Sequence, residues 1–571
     1  MIATKLVVIV ASAVKIAYAF KRPDFNALHA PLPVVDLKYS LHQATINETG
    51  QYYNFSNIRY AAPPTGNLRF SAPVKPKVNR TINNGQQGAI CAQAIPYWEQ
   101  VAVNFLGGAS AAALGLVKAG VEAAEKNLTI SGLSAPAPLT SEDCLFLDVI
   151  VPKSIYDSRG KRAPVVVWIY GGGYVGGSKF DAGNPATLIS RSKENGGEGV
   201  VYVAFNYRLG LFGWLSGPTF EKSGTANAAL LDQRFALEWV QKYIHLFGGD
   251  ANRVTVLGES AGAGSIMHQI TAYGGRYGRV PFSQAILQSP GYPPVYSDDQ
   301  QEATFQNVIK QAQSLIDANI TSVSDLRNLD FTTLAGLNTI VTARSAPYGT
   351  FTFGPTVDGT FVPELPAKLL RDGKFYKNVK VMTAHNSNEG AFFASPFLST
   401  EASLSDNLVS VLPTISKSTL SYVTGTLYPP VYNGSYPYRS FFERASLITA
   451  DISFTCNTRY LNTAFLNKTY SYYFTVPPGL HGEDIAYTFF NGDTTTLNVG
   501  LPVNATVAAV LQRYIMNFAM TGNPNGRGVP FFPEYQKNAT TVVLGSTGLG
   551  SLQTDTTANK RCEWWQQALY E

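Results

Sequence analysis

Charged residues are sparse along this chain and are not concentrated in any segment. Asp, Glu, Lys and Arg make up only 15% of its 571 residues, and the formal net charge is +5. Lys and Arg are scattered rather than clustered, so no nucleic-acid partner is expected. With 45% hydrophobic residues, the chain has ample apolar material for a large core.

The chain also lacks internal repeats, low-complexity tracts and linkers. A length of 571 residues would suit three or four domains, but nothing in the composition divides the chain. We therefore expect residues 20–571 to form a single domain with long insertions.

Beyond the N-terminus, no segment reaches the roughly 18 unbroken apolar residues that a membrane-spanning helix needs. Residues 1–19 have a short basic region, then an apolar region, and end in the small-x-small sequence A-Y-A. This pattern is typical of a signal peptide cleaved before Phe20. Lys15 interrupts the apolar region, which leaves an uncleaved signal anchor as the alternative. The polar C-terminus is not a lipid-anchor signal, so we expect a secreted, extracellular protein.

Glycosylation sequons and cysteines agree with that route. An even number of cysteines suits an oxidising compartment, and four cysteines allow three disulfide pairings. Nine N-x-[ST] sequons are present, of which only exposed ones can carry a glycan. Their asparagines are Asn47, Asn54, Asn79, Asn127, Asn319, Asn433, Asn467, Asn504 and Asn538.

One short sequence has the pattern of a nucleophile elbow. The β-branched run at 254–257 predicts a buried strand, residues 265–270 predict a helix, and Ser260 lies at the apex between them. Gly258 and Gly262 have no Cβ to collide in so sharp a turn. A strand, a G-x-S-x-G turn and a helix place a reactive serine at the carboxyl end of a parallel sheet. The alternative is a merely structural turn.

Histidine is scarce, which narrows the search for the general base that a serine hydroxyl needs. Three of the six histidines precede the elbow, against the order serine, acid, histidine of this arrangement. His268 lies on the outgoing helix, and His385 and His481 each follow a predicted strand. We expect His481 to be the base and His385 to be structural. Glu389 is the expected acid, with Asp358 as its rival, although Asp followed by Gly is typical of an ordinary turn.

Attack on an ester creates an oxyanion, and each preorganised donor to it contributes about 3 kcal/mol of transition-state stabilisation. One expected donor is the amide of Ala261, directly after the serine. Gly172 and Gly173, which follow the apolar run 164–170, are the other candidates. A phosphate-binding loop is the alternative, but neither G-K-[ST] nor G-x-G-x-x-G followed by an acid is present. No metal or cofactor is expected.

Predicted strands alternate with predicted helices, which implies a mostly parallel sheet covered on both faces. A long segment interrupts this pattern between Cys91 and Cys144. Its residues 101–124 carry a weakly amphipathic apolar pattern. They predict either a buried structural helix or a surface lid, here called the lid loop (residues 91–144).

Long motifs in the chain resemble the type-B carboxylesterases, a family that includes cholinesterases, fungal lipases and the non-enzymatic neuroligins. The tail R-C-E-W-W is similar to the fungal branch. The resemblance implies an α/β-hydrolase fold, with a central mostly parallel sheet flanked by helices, and secreted serine-dependent ester hydrolysis through an acyl-enzyme. The motifs lie at 63–70, 141–149, 170–173, 206–210, 231–240, 247–250, 258–262, 388–390, 481–482, 518–525 and 561–565.

The resemblance also implies roles for individual residues. It argues against choline esters, because A-P-A-P at 135–138 occupies the region where cholinesterases have a tryptophan. The implied residues are a triad of Ser260, Glu389 and His481, an oxyanion hole of Gly172, Gly173 and Ala261, a substrate pocket with Tyr174, Phe392 and Phe393, an ion pair of Arg69 with Glu142, and disulfides Cys91–Cys144 and Cys456–Cys562.

Two alternatives to an ordinary esterase stay open. A true lipase or sterol esterase with a mobile lid is favoured by the long apolar insertion, and its expected partners are lipid esters and, transiently, lipid surfaces. A non-catalytic adhesion protein of the neuroligin kind would lack a triad residue, whereas all three are present. The sequence does not identify the ester or the oligomeric state.

Overall fold

The computed structural model describes residues 31–133, 136–158, 160, 162–292, 295–316, 318–493, 497–498 and 501–570. The expected signal peptide, residues 1–19, and its cleavage site before Phe20 lie outside these residues. No helix in these ranges is long and apolar enough to cross a membrane.

Sixteen strands and nineteen α-helices alternate along the described residues. The strands are β1 Val34–Asp36, β2 Ser40–Gln43, β3 Thr45–Asn47, β4 Tyr52–Arg59, β5 Asn79–Asn83, β6 Phe146–Pro152, β7 Ala163–Ile169, β8 Val201–Phe205, β9 Gly249–Glu259, β10 Gln284–Gln288, β11 Lys380–Asn386, β12 Tyr470–Phe474, β13 Leu497–Asn498, β14 Leu501–Pro502, β15 Thr540–Leu544 and β16 Leu552–Thr554. The helices are α1 Trp98–Leu106, α2 Ala111–Asn127, α3 Lys153–Tyr156, α4 Ala186–Arg191, α5 Gly210–Trp214, α6 Pro218–Glu221, α7 Ala228–Tyr243, α8 Ala261–Thr271, α9 Asp298–Ile316, α10 Val323–Asn328, α11 Phe331–Ser345, α12 Pro366–Arg371, α13 Glu401–Val411, α14 Lys417–Tyr422, α15 Phe441–Ala450, α16 Cys456–Ala464, α17 Glu483–Thr488, α18 Ala505–Thr521 and α19 Lys560–Trp565.

Eleven of the strands form one central sheet in the order β16-β15-β12-β11-β10-β9-β7-β8-β6-β4-β3. The seven strands from β15 to β8 in this order pair in parallel. The outer strands β16, β6, β4 and β3 pair antiparallel. The carboxyl ends of the parallel strands share one edge, where open α/β sheets bind their ligands.

Continuous apolar runs form the middle of this sheet. Every residue of β7, β8 and β10 is buried, as expected for parallel strands covered on both faces. Helix α8 packs against β9 and β10, and α18 packs against β7 and β9. The predicted α/β-hydrolase fold, a mostly parallel sheet flanked by helices, is confirmed.

Two disulfides cross-link segments outside the sheet. Cys91 is joined to Cys144, which closes the lid loop, and Cys456 in α16 is joined to Cys562 in α19. The lid loop contains the helices α1 and α2. It is neither wholly buried nor wholly exposed, because Leu114 is 4% exposed whereas Leu116 is 77% exposed.

A buried ion pair holds the base of the lid loop. Arg69 and Glu142 form a two-pronged pair, with 2.6 Å between Arg69 Nη2 and Glu142 Oε2. Arg69 also donates to the carbonyls of Arg327 and Leu329. Both side chains of the pair are only 7% exposed, so neither charge has water to replace a lost partner.

Replacing Arg69 by Met should therefore leave Glu142 as a lone buried charge. We expect a loss of about 3–5 kcal/mol in the free energy of unfolding, measured by urea denaturation. The double variant Arg69→Met/Glu142→Leu should lose less than the single one. Arg80→Met, which breaks the exposed Arg80–Asp36 pair, is the control and should leave the midpoint nearly unchanged. A single variant no less stable than this control would contradict the analysis.

Candidate active site

Ser260 occupies a sharp turn between β9 and α8. Its φ of 54° and ψ of −126° lie outside the regions that residues with a Cβ usually adopt. Its amide donates to the carbonyl of Gln288 in β10, and its carbonyl accepts from the amides of Gly264 and Gly291. These three hydrogen bonds compensate for the strain and fix the serine at the sheet edge.

The glycines on either side of Ser260 are required by close packing. A Cβ on Gly262 would lie 2.0 Å from the carbonyl oxygen of Ile169 in β7, and one on Gly258 would lie 2.8 Å from the carbonyl carbon of Gly262. Both distances are far below van der Waals contact. The turn can therefore approach β7 only because Gly262 lacks a side chain, and the start of α8 can fold back onto β9 only because Gly258 lacks one.

A row of hydrogen bonds runs from Ser260 through His481 to Glu389. Ser260 Oγ lies 2.8 Å from His481 Nε2, and His481 Nδ1 lies 2.5 Å from Glu389 Oε2. Glu389 follows β11 and His481 follows β12, so both loops lie at the carboxyl ends of parallel strands. Glu389 is held in turn by donors from Ser289 Oγ and the Asn386 amide.

Burial and neighbouring charges shift the pKa values of His481 and Glu389 in opposite directions. Burial lowers the pKa of His481, but the carboxylates of Glu259 and Glu389 raise it, and the resulting pKa lies above the ordinary value. Burial raises the pKa of Glu389, but His481 and the Asn386 and Ser289 donors lower it below the ordinary value. Glu389 is thus ionised at neutral pH and draws the proton of His481 to Nδ1, which leaves Nε2 free to accept one from the serine.

The rival histidine and acid lie elsewhere. His385 is 1% exposed, and its Nε2 lies 3.3 Å from Asp555 Oδ1, so it fits a structural role. Asp358 accepts hydrogen bonds from the Asn227 side chain and from the amides of Thr360 and Val362, which is the pattern of a local turn. Neither group reaches Ser260.

Residues with candidate oxyanion-binding amides lie beside Ser260. Gly173 and Ala261 line the cavity beside Ser260, and Ala261 is the first residue of α8, where an amide has no partner within its helix. Gly172, with a φ of 101°, precedes Gly173 in the loop after β7. Within the described part of the chain, the amides of Gly172 and Gly173 donate to no carbonyl. They are free to meet an oxyanion.

The cavity beside Ser260 is closed to about 20 Å³, less than one small substrate needs. Tyr174 lines it but is fully buried, and its hydroxyl donates to the carbonyl of Gly291. Phe392 and Phe393 are not among the lining residues and lie one layer behind. The lining residues are Gly173, Tyr174, Ser260, Ala261, Gly291, Tyr292, Gly349, Phe351, Ser453 and Phe454.

An aromatic cluster closes the site, and the sequence analysis missed three of its members: Trp98, Phe351 and Phe454. The ring of Trp98, in α1, contacts Tyr348, Phe351, Phe392 and Phe393, and its Nε1 donates to the carbonyl of Thr350 at 2.7 Å. Phe393 and Phe454 in turn contact the imidazole of His481. The only sequence signal was a tryptophan within the lid loop.

Two further carboxyl groups lie near His481. Glu259 Oε1 is 3.4 Å from the imidazole, and burial raises the pKa of Glu259 to about 8. Asp484 accepts hydrogen bonds from Gln288 and Tyr472, and burial raises the pKa of Asp484 to about 6. Near neutral pH, Glu259 is therefore mostly neutral, whereas Asp484 and Glu389 are mostly ionised.

Among the described residues, one group has the spacing of metal ligands: Asp451, Cys456 and Cys562. Its two cysteines are joined to each other in a disulfide. Their sulfur atoms are therefore not available as thiolate ligands, and we assign no metal to this group.

Comparisons with known proteins identify the family of this chain. The model of a family described as "Carboxylesterase family" matches residues 41–565. Carboxylesterase patB of Aspergillus clavatus is 43% identical, covering 95% of this chain and 98% of that protein. A secreted lipase of Arthroderma benhamiae is 31% identical, covering 75% and 83%. The crystal structure of Aspergillus niger EstA matches with a TM-score of 0.75 and 26% identity, covering 95% and 98%.

The raised pKa of His481 predicts the acid limb of the pH profile. A histidine base is lost as pH falls through its pKa, so kcat/KM for p-nitrophenyl acetate should fall with a midpoint above about pH 6.5, the ordinary pKa of histidine. Glu389→Gln removes a charge that raises this pKa, so the midpoint should move to lower pH while kcat drops. A midpoint below about 6.5, or one that the variant leaves in place, would contradict this electrostatic account.

Proposed function

Because this chain belongs to the carboxylesterase family and is a carboxylic ester hydrolase, we propose that Ser260, His481 and Glu389 are its catalytic triad. The observation that supports this most is the row of short hydrogen bonds from Ser260 Oγ to the Glu389 carboxylate. The site occupies the carboxyl edge of the sheet, where this fold positions its reactive groups.

In the proposed mechanism, Ser260 Oγ attacks the ester carbonyl carbon while His481 Nε2 accepts its proton. The amides of Gly172, Gly173 and Ala261 stabilise the oxyanion. The imidazolium then protonates the departing alcohol, and water hydrolyses the acyl-enzyme with His481 again as the base. Glu389 keeps the imidazole oriented and stabilises its charged form.

We also propose that residues 1–19 are removed as a signal peptide and that residues 20–571 form one secreted domain. Relatives named as secreted lipases support this route. Among the sequons whose side chains the structure describes, which leaves out Asn127, the exposed ones are the proposed glycosylation sites: Asn79, Asn319, Asn433 and Asn538.

A lipase with a mobile lid is the second candidate, and the closed cavity favours it. About 20 Å³ beside Ser260 leaves no room for an acyl chain. Trp98 of α1 packs against Phe351, which lines this cavity, so we propose that movement of α1 enlarges it. The outer surface of the lid loop carries Val103 and Leu116, which are 60% and 77% exposed. These side chains are placed to contact a lipid surface when the loop opens, and the proposed substrates are small-molecule or lipid esters.

Variants of the triad test the main proposal. Ser260→Ala and His481→Ala should each abolish nearly all turnover, and the double variant should lose little more, because the two groups act as a unit. Glu389→Gln should lose less. His245→Ala, at an exposed histidine away from the site, is the control and should keep full activity. An organophosphate should label Ser260 alone, and labelling of another serine would overturn the assignment.

Emulsified substrate tests the lipase candidate. Activity on a partly soluble ester should rise sharply once an emulsion forms, because a lipid surface compensates for exposing the closed lid. Val103→Ser/Leu116→Ser should flatten that rise and leave hydrolysis of p-nitrophenyl acetate nearly unchanged. Phe531→Ser, at a ring 72% exposed outside the lid loop, is the matched control. Simple saturation through the solubility limit would instead indicate an ordinary esterase.

A further inference from the structure

A polar groove of about 750 Å³ lies at the base of the lid loop. One wall is strand β5. Another part of the lining contains residues 88–89, just before the lid loop, and residues 139–141 and 143 near its C-terminal end. A bridge between Ile90 and Thr140 holds these two segments together. None of the residues that line the cavity at Ser260 lines this groove, and the proposed mechanism makes no use of it.

The groove is rich in amide and hydroxyl groups. The side-chain Oδ1 atoms of Asn83 and Asn84 accept hydrogen bonds from the backbone amides of Gly85 and Gln86. The side chains of Gln86 and Gln87 make no hydrogen bond with any residue that the structure describes. The groups are Asn79, Asn83, Asn84, Gln86 and Gln87 with Ser40, Thr81, Thr140 and Ser141.

Large aliphatic side chains lie exposed among these polar groups. Ile82 is 53% exposed and Leu139 is 72% exposed, and both line the groove. Water disfavours this apolar surface, whereas a purely apolar partner would leave the amides without hydrogen bonds. A carbohydrate satisfies both requirements, because one face of a sugar ring presents C–H groups and its edge presents hydroxyls.

A sequon lies on the rim of this groove. Asn79 and Thr81, its first and third residues, both line the groove. Asn79 is exposed, and its Oδ1 accepts a hydrogen bond from the Thr81 amide at 3.0 Å, which leaves Nδ2 unengaged. The exposed sequons at Asn319, Asn433 and Asn538 lie outside the groove.

We propose that Asn79 carries an N-linked glycan whose first sugars lie in this groove. The proposal rests on the proposed secretion, because the donor is an oligosaccharide bound to a polyprenyl pyrophosphate in the secretory pathway. Nδ2 of Asn79 forms a bond to C1 of the first sugar, the bond from C1 to the pyrophosphate oxygen breaks, and the pyrophosphate leaves with one amide proton.

A glycan in this position would tie β5 to both ends of the lid loop. The sugars would contact Ile82 on one wall and Leu139 on the other, and would accept hydrogen bonds from Gln86 and Gln87. They would cover the base of the loop and leave α1 and α2 uncovered. We therefore expect the glycan to slow local opening of residues 139–143 without affecting access to Ser260.

Glycan release from the folded protein tests the proposal. The full chain is secreted from a yeast host, treated with peptide N-glycosidase while folded and again after unfolding, and each site is quantified by peptide mass spectrometry. Release from Asn79 in the folded protein should be about tenfold slower than from Asn319, Asn433 and Asn538, because the enzyme has to wait for local opening. After unfolding, the four rates should agree.

Equal release rates in the folded protein would overturn the groove assignment, as would an unmodified Asn79 beside modified Asn319, Asn433 and Asn538. Those results would leave secretion and catalysis intact. Four unmodified sites on the secreted protein would overturn the glycan proposal, whereas retention of the full chain inside the cells would overturn the secretory route and the groove proposal with it. Ester hydrolysis by the same sample reports separately on the catalytic proposal.

Variants of groove residues distinguish a glycan that is bound in the groove from one whose release is slowed only by steric crowding around Asn79. Gln87→Ala and Ile82→Ser should bring release at Asn79 to the rate of the other sites, whereas Leu552→Ser, at a side chain 53% exposed outside the groove, should not. Thr81→Ala should remove the glycan and Thr81→Ser should keep it. Without the glycan, hydrogen exchange at 139–143 should rise with kcat for p-nitrophenyl acetate unchanged. If the rate of glycan release at Asn79 stayed the same in both groove variants, the proposal that the glycan is bound in the groove would be contradicted.

Discussion

The arrangement of the active site depends on one steric constraint, the close approach of the turn at Ser260 to strand β7. This approach requires a residue without a Cβ at Gly262, because a side chain there would collide with the Ile169 carbonyl. To make the sharp turn, Ser260 adopts a strained backbone conformation with a φ of 54°. Its backbone is stabilised by bonds to Gln288 and Gly291, so the neighbouring strand β10 and the loop after it contribute directly to the position of the hydroxyl.

The imidazole of His481 needs a negative charge beside it, but too much negative charge nearby would keep the imidazole protonated. Three carboxyl groups, Glu259, Glu389 and Asp484, interact with the imidazole. If all three were ionised at neutral pH, His481 would stay protonated and could not accept the serine proton. Burial and repulsion from Asp484 and Glu389 raise the pKa of Glu259 to about 8, so Glu259 keeps its proton. Glu389 and Asp484 then carry the negative charges near the imidazole, and Glu389, which is hydrogen-bonded to Nδ1, orients the histidine.

Features that depend on local sequence could be predicted. Strand β7 is a continuous apolar run, and the glycines of the turn are a steric requirement, so both are visible in a few consecutive residues. The scarcity of histidine left two candidates, and chain order with loop context favoured His481. Helices within 101–124 were also expected, although α1 already begins at Trp98 and a break at 107–110 separates it from α2.

The walls of the site could not be predicted, because they come from distant parts of the chain. Trp98, Phe351 and Phe454 meet only after the insertions fold over the sheet edge, and nothing near each residue identifies its neighbours. For the same reason, the sequence could not predict whether the lid loop is buried or exposed. Burial there differs between Leu114 and Leu116, two positions that face opposite sides of one helix.

The anchoring of the lid loop restricts how it can open. Asn206 Nδ2 donates to the carbonyls of Ala89 and Cys144, so one side chain holds both ends of the loop, and the Arg69–Glu142 pair adds a second anchor. Movement therefore has to occur between these ends, where Gly108 separates α1 from α2 with a φ of 82°.

Opening α1 also separates Trp98 from four aromatic rings. Aromatic pairs contribute about 0.5–1.5 kcal/mol each beyond the burial of their area, so the closed form is favoured by several kcal/mol in water. Only a partner that covers the exposed rings can offset such a difference. In the proposed lid mechanism, the apolar part of the ester or the lipid surface that presents it would cover these rings, and access to Ser260 would then depend on the apolar character of the substrate.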